Sequence, residues 1–349
     1  MSQVLLVTSP LFLRHRTPPG HPERPERLAA ILEALRQSGL EEVLRQTEEV
    51  APVARDLLEA VHRPQYIEEV AQVARGGGGY LDPDTYVSPE SFDVALAAAG
   101  GAVAAVEEVL SGRAQAAFAL LRPPGHHALA AKGMGFCLFN NAALAAVAAR
   151  DRHGLHRIAV IDWDVHHGNG TQDLFYHDPS VLYVSTHREH WYPGTGRWEE
   201  VGAGAGEGFT LNIPLPPGIG DEGYRLIFEE VVVPLLDAAR PELVLASAGY
   251  DAHFADPLGG MLLTAAGFRT LAQLTVEATA RVGAGFVGLL EGGYDLSGLS
   301  TSVIATLEVL THRSAGLTLP QPGFQEVPYT TVRERIRRAR SLALNYWRI

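Results

Sequence analysis

The stretch that decides the fold is residues 158–170, which read IAVIDWDVHHGNG. It opens with an apolar, β-branched run, Ile158–Asp162, and polar side chains follow at once. Strands that are apolar throughout are typical of parallel sheets that helices cover on both faces. Asp162 closes this run, where an unpaired carboxylate would be costly. The segment therefore predicts a buried parallel strand that delivers polar groups to the end of a sheet.

The rest of the chain repeats this alternation of short apolar runs and helical patterns. Five further strands are predicted at Val4–Thr8, Ala116–Leu121, Val181–Ser185, Leu243–Ser247 and Phe286–Leu290. Helices are predicted at Pro25–Gln37, Glu90–Leu110, Glu222–Ala238, Ala265–Arg281 and Leu299–Thr311. We therefore predict an α/β fold with a parallel β-sheet and helices on both faces.

The chain shows no internal repeat, and we predict one catalytic domain over residues 1–320. Residues 321–349 are expected to form a linker, Pro320–Pro328, and a basic helix, Thr331–Tyr346, that packs on the domain or extends it. The arginines of that helix are expected to form a solvated face, as most basic helical runs do.

Polar residues follow the predicted strands at the points where the strands end. His126 and His127 come after one strand, Thr186 after another, and Asp251 and Tyr294 after two more. In open parallel α/β sheets, ligands bind outside the carboxyl ends of the strands. The sequence therefore predicts a functional site at that edge.

Three of these side chains have the chemistry of a metal site. Asp164 and His166 are two residues apart, so in extended backbone they point to the same side. Asp251 can supply a third ligand from another strand end. Two carboxylates, one imidazole and an open position are typical of a catalytic metal site. The sequence therefore predicts a divalent ion held by these residues.

The adjacent histidines are candidates for acid–base chemistry. His126 and His127 each need a partner to fix the ring tautomer. Asp162 and Asn169 are available, and because one partner is charged and the other neutral, they would push the two imidazole pKa values apart. Tyr294 follows two glycines and could donate a hydrogen bond to an oxyanion. A core tyrosine would explain that pattern equally well.

Composition bounds the partners. The chain has 349 residues, 46% hydrophobic, and a net charge of -12, a field that repels nucleic acid and anionic membrane surfaces and attracts cations. Cys137 is the single cysteine, which excludes an internal disulfide and fits a reducing compartment. The apolar start is short and lacks a basic region, so we expect neither a signal peptide nor a membrane span, and a cytoplasmic location.

Several motifs resemble the histone deacetylase superfamily, which includes acetylpolyamine amidohydrolases and acetoin-utilisation proteins. They are Gly20–Arg27, Arg122–Ala128, Gly135–Phe136, Asp162–Gln172, Tyr192–Gly196, Ser247–Pro257 and Glu291–Tyr294. The resemblance spans nearly the whole chain in the expected order. It implies the arginase/deacetylase fold and hydrolytic removal of acetyl or other short acyl groups from amines.

The resemblance also implies roles for individual residues. It assigns zinc, which iron can replace, to Asp164, His166 and Asp251. His127 matches the general base and later acid, and His126 matches its electrostatic companion, with Asp162 behind it. Asn169 stands where some members have aspartate, as in the class II branch. Tyr294 matches the tyrosine that polarises the acyl carbonyl.

The substrate tunnel and potassium sites are implied in the same way. Phe136 and Tyr192, with Gly135, match the walls of an acyl-lysine tunnel, and Asp84 falls near a rim aspartate that holds substrate backbone. Leu258 falls at the rim where a polyamine-selective branch carries glutamate, which favours acyl-lysine or neutral substrates. Structural potassium would involve Asp162, Asp164, His166, Ser185 and Thr186, with a second ion near Phe175, Asp178 and Val181.

Other functions stay open at this point. An arginase-like binuclear manganese hydrolase would need further bridging aspartates, but His253 stands at the second position after Asp251. A non-catalytic acyl-amine binding protein would be expected to have lost a ligand, the histidine pair or the tyrosine. Acyl-lysine peptides, acetylpolyamines and small acylated metabolites all remain possible substrates, and the sequence does not set the oligomeric state.

Overall fold

The computed structural model describes residues 4–316, 323 and 326–349. In this part of the chain the strands are β1 (Val4–Val7), β2 (Leu44–Thr47), β3 (Gly79–Asp82), β4 (Thr85–Val87), β5 (Ala117–Ala119), β6 (Ile158–Asp162), β7 (Val181–Arg188), β8 (Thr210–Leu215), β9 (Leu243–Ala248) and β10 (Gly285–Leu290). Eight of them form one parallel sheet in the order β2-β1-β5-β10-β9-β6-β7-β8. The other two, β3 and β4, form an antiparallel hairpin.

Helices cover both faces of the sheet, so the predicted α/β class is confirmed. They are α1 (Glu26–Ser38), α2 (Arg55–Val61), α3 (Pro64–Arg75), α4 (Ser91–Leu110), α5 (Asn141–His153), α6 (Asn169–Phe175), α7 (Asp221–Ile227), α8 (Val233–Ala239), α9 (Ala265–Val282), α10 (Leu296–Thr311) and α11 (Tyr329–Ala343). Helices α4 and α5 pack together, while α1, α10 and α9 pack in series. One continuous hydrophobic core joins both layers to the sheet. None of the described helices is both long and apolar enough to cross a membrane.

The strand that begins at Val181 is longer than predicted. It continues to Arg188 because Thr186 and His187 pair with Ile213 and Pro214 of β8, an edge strand that the sequence pattern did not reveal. Thr186 therefore lies inside β7 and not beyond its end, which corrects the prediction. The neighbouring strand β6 does end where predicted, with Asp162 opposite Ser185 and Ser247.

The last helix lies against the body of the protein. Helix α11 contacts β8 and α7, and Val332, Ile336 and Ala339 bury its apolar face. Its arginines form ion pairs with glutamates of the body, so the expected solvated face is in fact partly neutralised. The boundary predicted at residue 320 lies outside the described residues, as do residues 320–322, 324 and 325 of the predicted linker.

Candidate active site

The three predicted metal ligands converge at the carboxyl edge of the sheet. Asp164 and His166 follow β6, and Asp251 follows β9, the strand beside it. His166 Nδ1 lies 3.1 Å from Asp164 Oδ1 and 3.1 Å from Asp251 Oδ2. One ligand atom of each residue lies within 4.8 Å of the other two, and all three residues are buried. The geometry therefore brings two carboxylates and an imidazole to one point.

Backbone groups fix the two carboxylates. The N–H of Gly292 donates to Asp164 Oδ2 at 2.8 Å, and the N–H of Val165 donates to Asp251 Oδ1 at 2.8 Å. A Cβ at Gly292 would lie 2.1 Å from Asp251 Oδ2, and one at Gly249 would lie 2.1 Å from Asp164 Oδ2. Only glycine therefore fits at these two positions, which lie against the carboxylates.

The chemistry of this donor set fits a divalent metal ion. Burial and the neighbouring Asp164 raise the pKa of Asp251 to about 7, because two buried carboxylates side by side repel each other. A bound cation would remove that cost and let both ionise. Oxygen and imidazole ligands with an open side are typical of catalytic zinc and of related transition metals.

His126 lies behind the metal ligands and is paired with a carboxylate. Its Nδ1 lies 3.1 Å from Asp162 Oδ2, which also accepts the hydroxyl of Tyr183 at 3.0 Å. Burial lowers the pKa of His126, but the charges of Asp164 and Asp162 outweigh burial and raise it to about 10. A Cβ at Gly168 would lie 2.2 Å from Asp162 Oδ2, so glycine is required to leave room for this pair.

His127 is paired with a neutral side chain instead of a carboxylate. Its Nδ1 lies 2.8 Å from the side-chain oxygen of Asn169, which can only accept a hydrogen bond. Nδ1 therefore carries the proton, and Nε2 keeps a free lone pair. Burial, with the charges of His126 and His166, holds the pKa of His127 well below its usual range. The predicted partners thus lie beside their histidines. The two pKa values differ because the charges of Asp164 and Asp162 raise that of His126, whereas burial and the neighbouring imidazoles lower that of His127.

Tyr294 lines the same pocket as His127. Its phenol oxygen has no hydrogen-bond partner among the described residues, and burial raises the pKa of the phenol well above its usual value. The loop is held from below: the N–H of Tyr294 donates to Asp256 at 2.6 Å, and the Arg27 guanidinium lies 4.9 Å from the ring centroid. A neutral hydrogen-bond donor therefore faces the site in a fixed position.

A tunnel of about 210 Å³ leads from the surface to these groups. Its lining includes His127, His166 and Tyr294 at depth and, toward the surface, Asp84, Gly135, Phe136, Trp191, Tyr192 and Leu258. All five residues predicted for substrate binding therefore line one tunnel. The edge of the Phe136 ring meets Tyr294 at a centroid distance of 5.6 Å.

The Gly135–Phe136 turn gives the tunnel its shape. Gly135 has φ +56° and Phe136 has φ +68°, both left-handed. A Cβ at Gly135 would lie 2.3 Å from the ring of His127. The N–H of Gly135 donates to Asp84 Oδ1 at 3.2 Å, so Asp84 both borders the mouth and supports the turn.

The residues suggested for potassium divide into two groups. In the first, Ser185 Oγ lies 2.8 Å from His187 Nδ1, and Thr186 Oγ1 is buried with no partner among the described residues. In the second, Asp178 Oδ2 accepts a hydrogen bond from Arg150 at 2.9 Å. Both potassium sites stay predictions.

Sequence reasoning missed several buried groups that support the site. Glu291 Oε2 accepts the N–H groups of Gly125 and His126 at 2.7 and 3.2 Å. Arg27 donates to the carbonyls of Glu291 and Gly293, each at 2.6 Å. Glu291 directly follows the apolar strand β10, a signal that could have identified it. Arg27 lies far away in sequence, in the N-terminal motif, and nothing in its spacing links it to the tyrosine loop.

Comparisons with known proteins agree with this arrangement. Residues 21–310 match the histone deacetylase domain. A probable deacetylase from Archaeoglobus fulgidus is 44% identical over 290 residues, which cover 82% of this chain and 80% of that protein. The human polyamine deacetylase HDAC10 is 42% identical over 341 residues, which cover 93% of this chain and 49% of that protein.

A solved structure shows the same fold. The crystal structure of the HDA15 HD domain superposes with a TM-score of 0.91 at 34% sequence identity, and the match covers 99% of this chain and 96% of that one. The chain therefore belongs to the histone deacetylase family. Members of this family are deacetylases and amidohydrolases and are in general metal dependent. The predicted family and fold are confirmed.

Proposed function

We propose that this protein is a zinc-dependent amidohydrolase that removes acetyl or other short acyl groups from acyl-lysine-type amines. The observation that carries the proposal is the convergence of Asp164, His166 and Asp251 with His127 and Tyr294 at the inner end of one tunnel. These groups are the parts that hydrolysis of an unactivated amide needs: a metal site, a base and an oxyanion donor. Iron(II) fits the same ligands, and structural potassium is proposed at the two sites described above.

Asp164, His166 and Asp251 would hold the zinc ion. When bound, the ion supplies Lewis acidity, which polarises an acyl oxygen and acidifies water. His127 Nε2 takes the proton from the attacking water, since Asn169 holds the other ring proton at Nδ1. Asp162 keeps His126 cationic, which offsets negative charge that develops nearby.

The hydroxyl of Tyr294 donates a hydrogen bond to the acyl oxygen as negative charge grows on it. Its raised pKa keeps the phenol protonated, so it can donate at neutral pH. The bond between the acyl carbon and nitrogen then breaks, and His127 returns its proton to the departing amine. The products are a carboxylate and a free amine.

The tunnel favours an aliphatic acylated chain. Phe136 and Tyr192 face it with aromatic rings, and each methylene buried there contributes about 0.8 kcal/mol. Asp84 is the only carboxylate among the lining residues described, and Leu258 is apolar. We therefore propose acyl-lysine-type substrates. We also propose a reducing, cytoplasmic compartment, with which the single cysteine, Cys137, agrees.

An acetylpolyamine or a small acylated metabolite is the alternative substrate. The similarity to the human polyamine deacetylase supports the acetylpolyamine as this alternative. The experiment compares turnover of an acetyl-lysine peptide with that of N-acetylputrescine and N-acetylspermidine by zinc-loaded protein, with a hydroxamate as inhibitor. Hydroxamate-sensitive turnover that is higher for the peptide supports the proposal. Higher turnover of the polyamines would replace it with the alternative.

A further inference from the structure

A second and larger hollow lies beside the tunnel mouth. This hollow, the lateral groove, has a volume of about 760 Å³ and is lined by residues of the segment 187–199 and by helix α11. Trp191 lines both the tunnel and the lateral groove. The two spaces are therefore contiguous, and a substrate whose side chain enters the tunnel has the lateral groove next to its backbone.

Trp191 is a fixed platform at this junction. Its indole N–H donates to the carbonyl of Leu258 at 2.8 Å, and the Arg188 guanidinium stacks 3.6 Å from its ring centroid. The side chain is nevertheless 39% exposed. An aromatic surface that is held in place and still partly exposed loses little entropy when it packs against a ligand.

The far wall of the lateral groove comes from the C-terminal helix. Arg335 donates to Glu189 at 2.9 Å and Arg338 donates to Glu199 at 2.8 Å. Arg338 also lies 4.9 Å above the ring of Trp198. Helix α11 lies beyond residues 21–310, which match the family domain.

The charge of the lateral groove differs in sign from that of the whole chain. Both of its glutamates, Glu189 and Glu199, are neutralised by helix arginines. Arg197 also lines the groove, is exposed, and has no ion-pair partner among the described residues. Three arginines against two glutamates leave one positive charge, although the chain as a whole carries -12.

We propose that the lateral groove binds the polypeptide that flanks the acylated lysine, and that Arg197 selects an acidic side chain in that flank. The proposal rests on the proposed function, because it needs an acyl-lysine in the tunnel. A free polyamine would bring its own ammonium groups toward Arg197 and be repelled, whereas a glutamate or aspartate would be attracted. The lateral groove thus favours a polypeptide over a polyamine, a selectivity that the tunnel alone does not explain.

The test uses the full-length, zinc-loaded protein and a set of capped acetyl-lysine peptides as substrates. In each peptide a single Glu, Gln or Lys is placed at one position on either side of the acetyl-lysine. A capped acetyl-lysine without flanks serves as the reference for chemistry. We expect kcat/KM for Glu over Lys to be roughly two- to fivefold higher at positions on one side, as an exposed ion pair allows. The preference should shrink as ionic strength rises.

Arg197→Glu should invert this ranking while turnover of the reference compound stays unchanged. Arg313→Glu is the matched control: Arg313 is exposed, has no ion-pair partner among the described residues, and follows the end of α10 that is remote from the tunnel. A Glu-over-Lys ranking that is absent, or that persists in Arg197→Glu, overturns the lateral-groove proposal if the reference compound is hydrolysed. If the reference compound is not hydrolysed, the proposed function itself fails and the groove proposal falls with it.

Discussion

Replacement of Tyr294 by phenylalanine tests the oxyanion role of its hydroxyl. The side chain is 9% exposed, its edge contact with Phe136 and its stacking on Arg27 involve only the ring, and its bond to Asp256 is made by the backbone. The variant therefore loses one hydrogen-bond donor and keeps its packing. Loss of one such donor costs about 10²–10³ in kcat, or roughly 3–4 kcal/mol.

The assay is steady-state release of acetate from an acetyl-lysine peptide by zinc-loaded protein, with the melting temperature measured alongside. We expect kcat and kcat/KM to fall together, because the bond forms only in the transition state, and the melting temperature to stay the same. Tyr224→Phe is the control, since its hydroxyl is buried in the core without a partner among the described residues, and it should turn over like the wild type. A loss smaller than about tenfold in Tyr294→Phe would refute the assigned role.

Three further perturbations test the buried contacts and the metal site. Glu23→Gln should destabilise the fold by about 3–5 kcal/mol, because it leaves Arg122 buried with its carboxylate partner gone; urea unfolding with an unchanged midpoint would contradict this. Burial acts to raise the pKa of Glu23, but Arg122 and His15 outweigh it and hold the pKa well below its usual value. The stability from Glu23 is therefore full at neutral pH and lost as pH falls through that depressed pKa, so the wild type should lose more stability in acid than Glu23→Gln does. Gly168→Ala should lower kcat by roughly tenfold or more, because the added Cβ would collide with Asp162 and displace the His126–Asp162 pair from its catalytic position. Near-normal turnover of this variant would show that the pair tolerates the displacement. Chelation should abolish turnover, and about one zinc per chain should restore it; a requirement for two metals would favour the binuclear alternative.

The sequence allowed the central strands and their polar ends to be predicted because both have strong local signals. Strands β6, β9 and β10 are apolar apart from Asp162 and Ser247, and the residues that follow them form compact polar motifs. Parallel topology then placed Asp164, Asp251 and Tyr294 at one edge without any knowledge of their contacts.

The edge strands were not predictable in the same way. Strand β2 reads Leu-Arg-Gln-Thr and is only partly buried, so it lacks the apolar run that identifies a central strand. Strand β8 contains Asn212 and Pro214 and pairs on one side only. Its presence extends β7 and moves Thr186 into the sheet.

The support beneath the catalytic tyrosine was also beyond local reasoning. Asp256 accepts the N–H groups of Tyr294 and Leu258, so one carboxylate links the tyrosine loop to the tunnel rim. Arg27 reaches the same loop from α1. Both contacts join segments that are distant in sequence, and they depend on how α1 and α10 pack rather than on any periodicity.

The measurement that tests the central claim most directly is acetate release from an acetyl-lysine peptide by zinc-loaded protein in water labelled with heavy oxygen. Water attack on the acyl carbon predicts that the released acetate carries the label, that chelation stops the release, and that added zinc restores it. Failure to release acetate, or release that is unaffected by chelation, would contradict a metal-dependent amidohydrolase built on Asp164, His166 and Asp251.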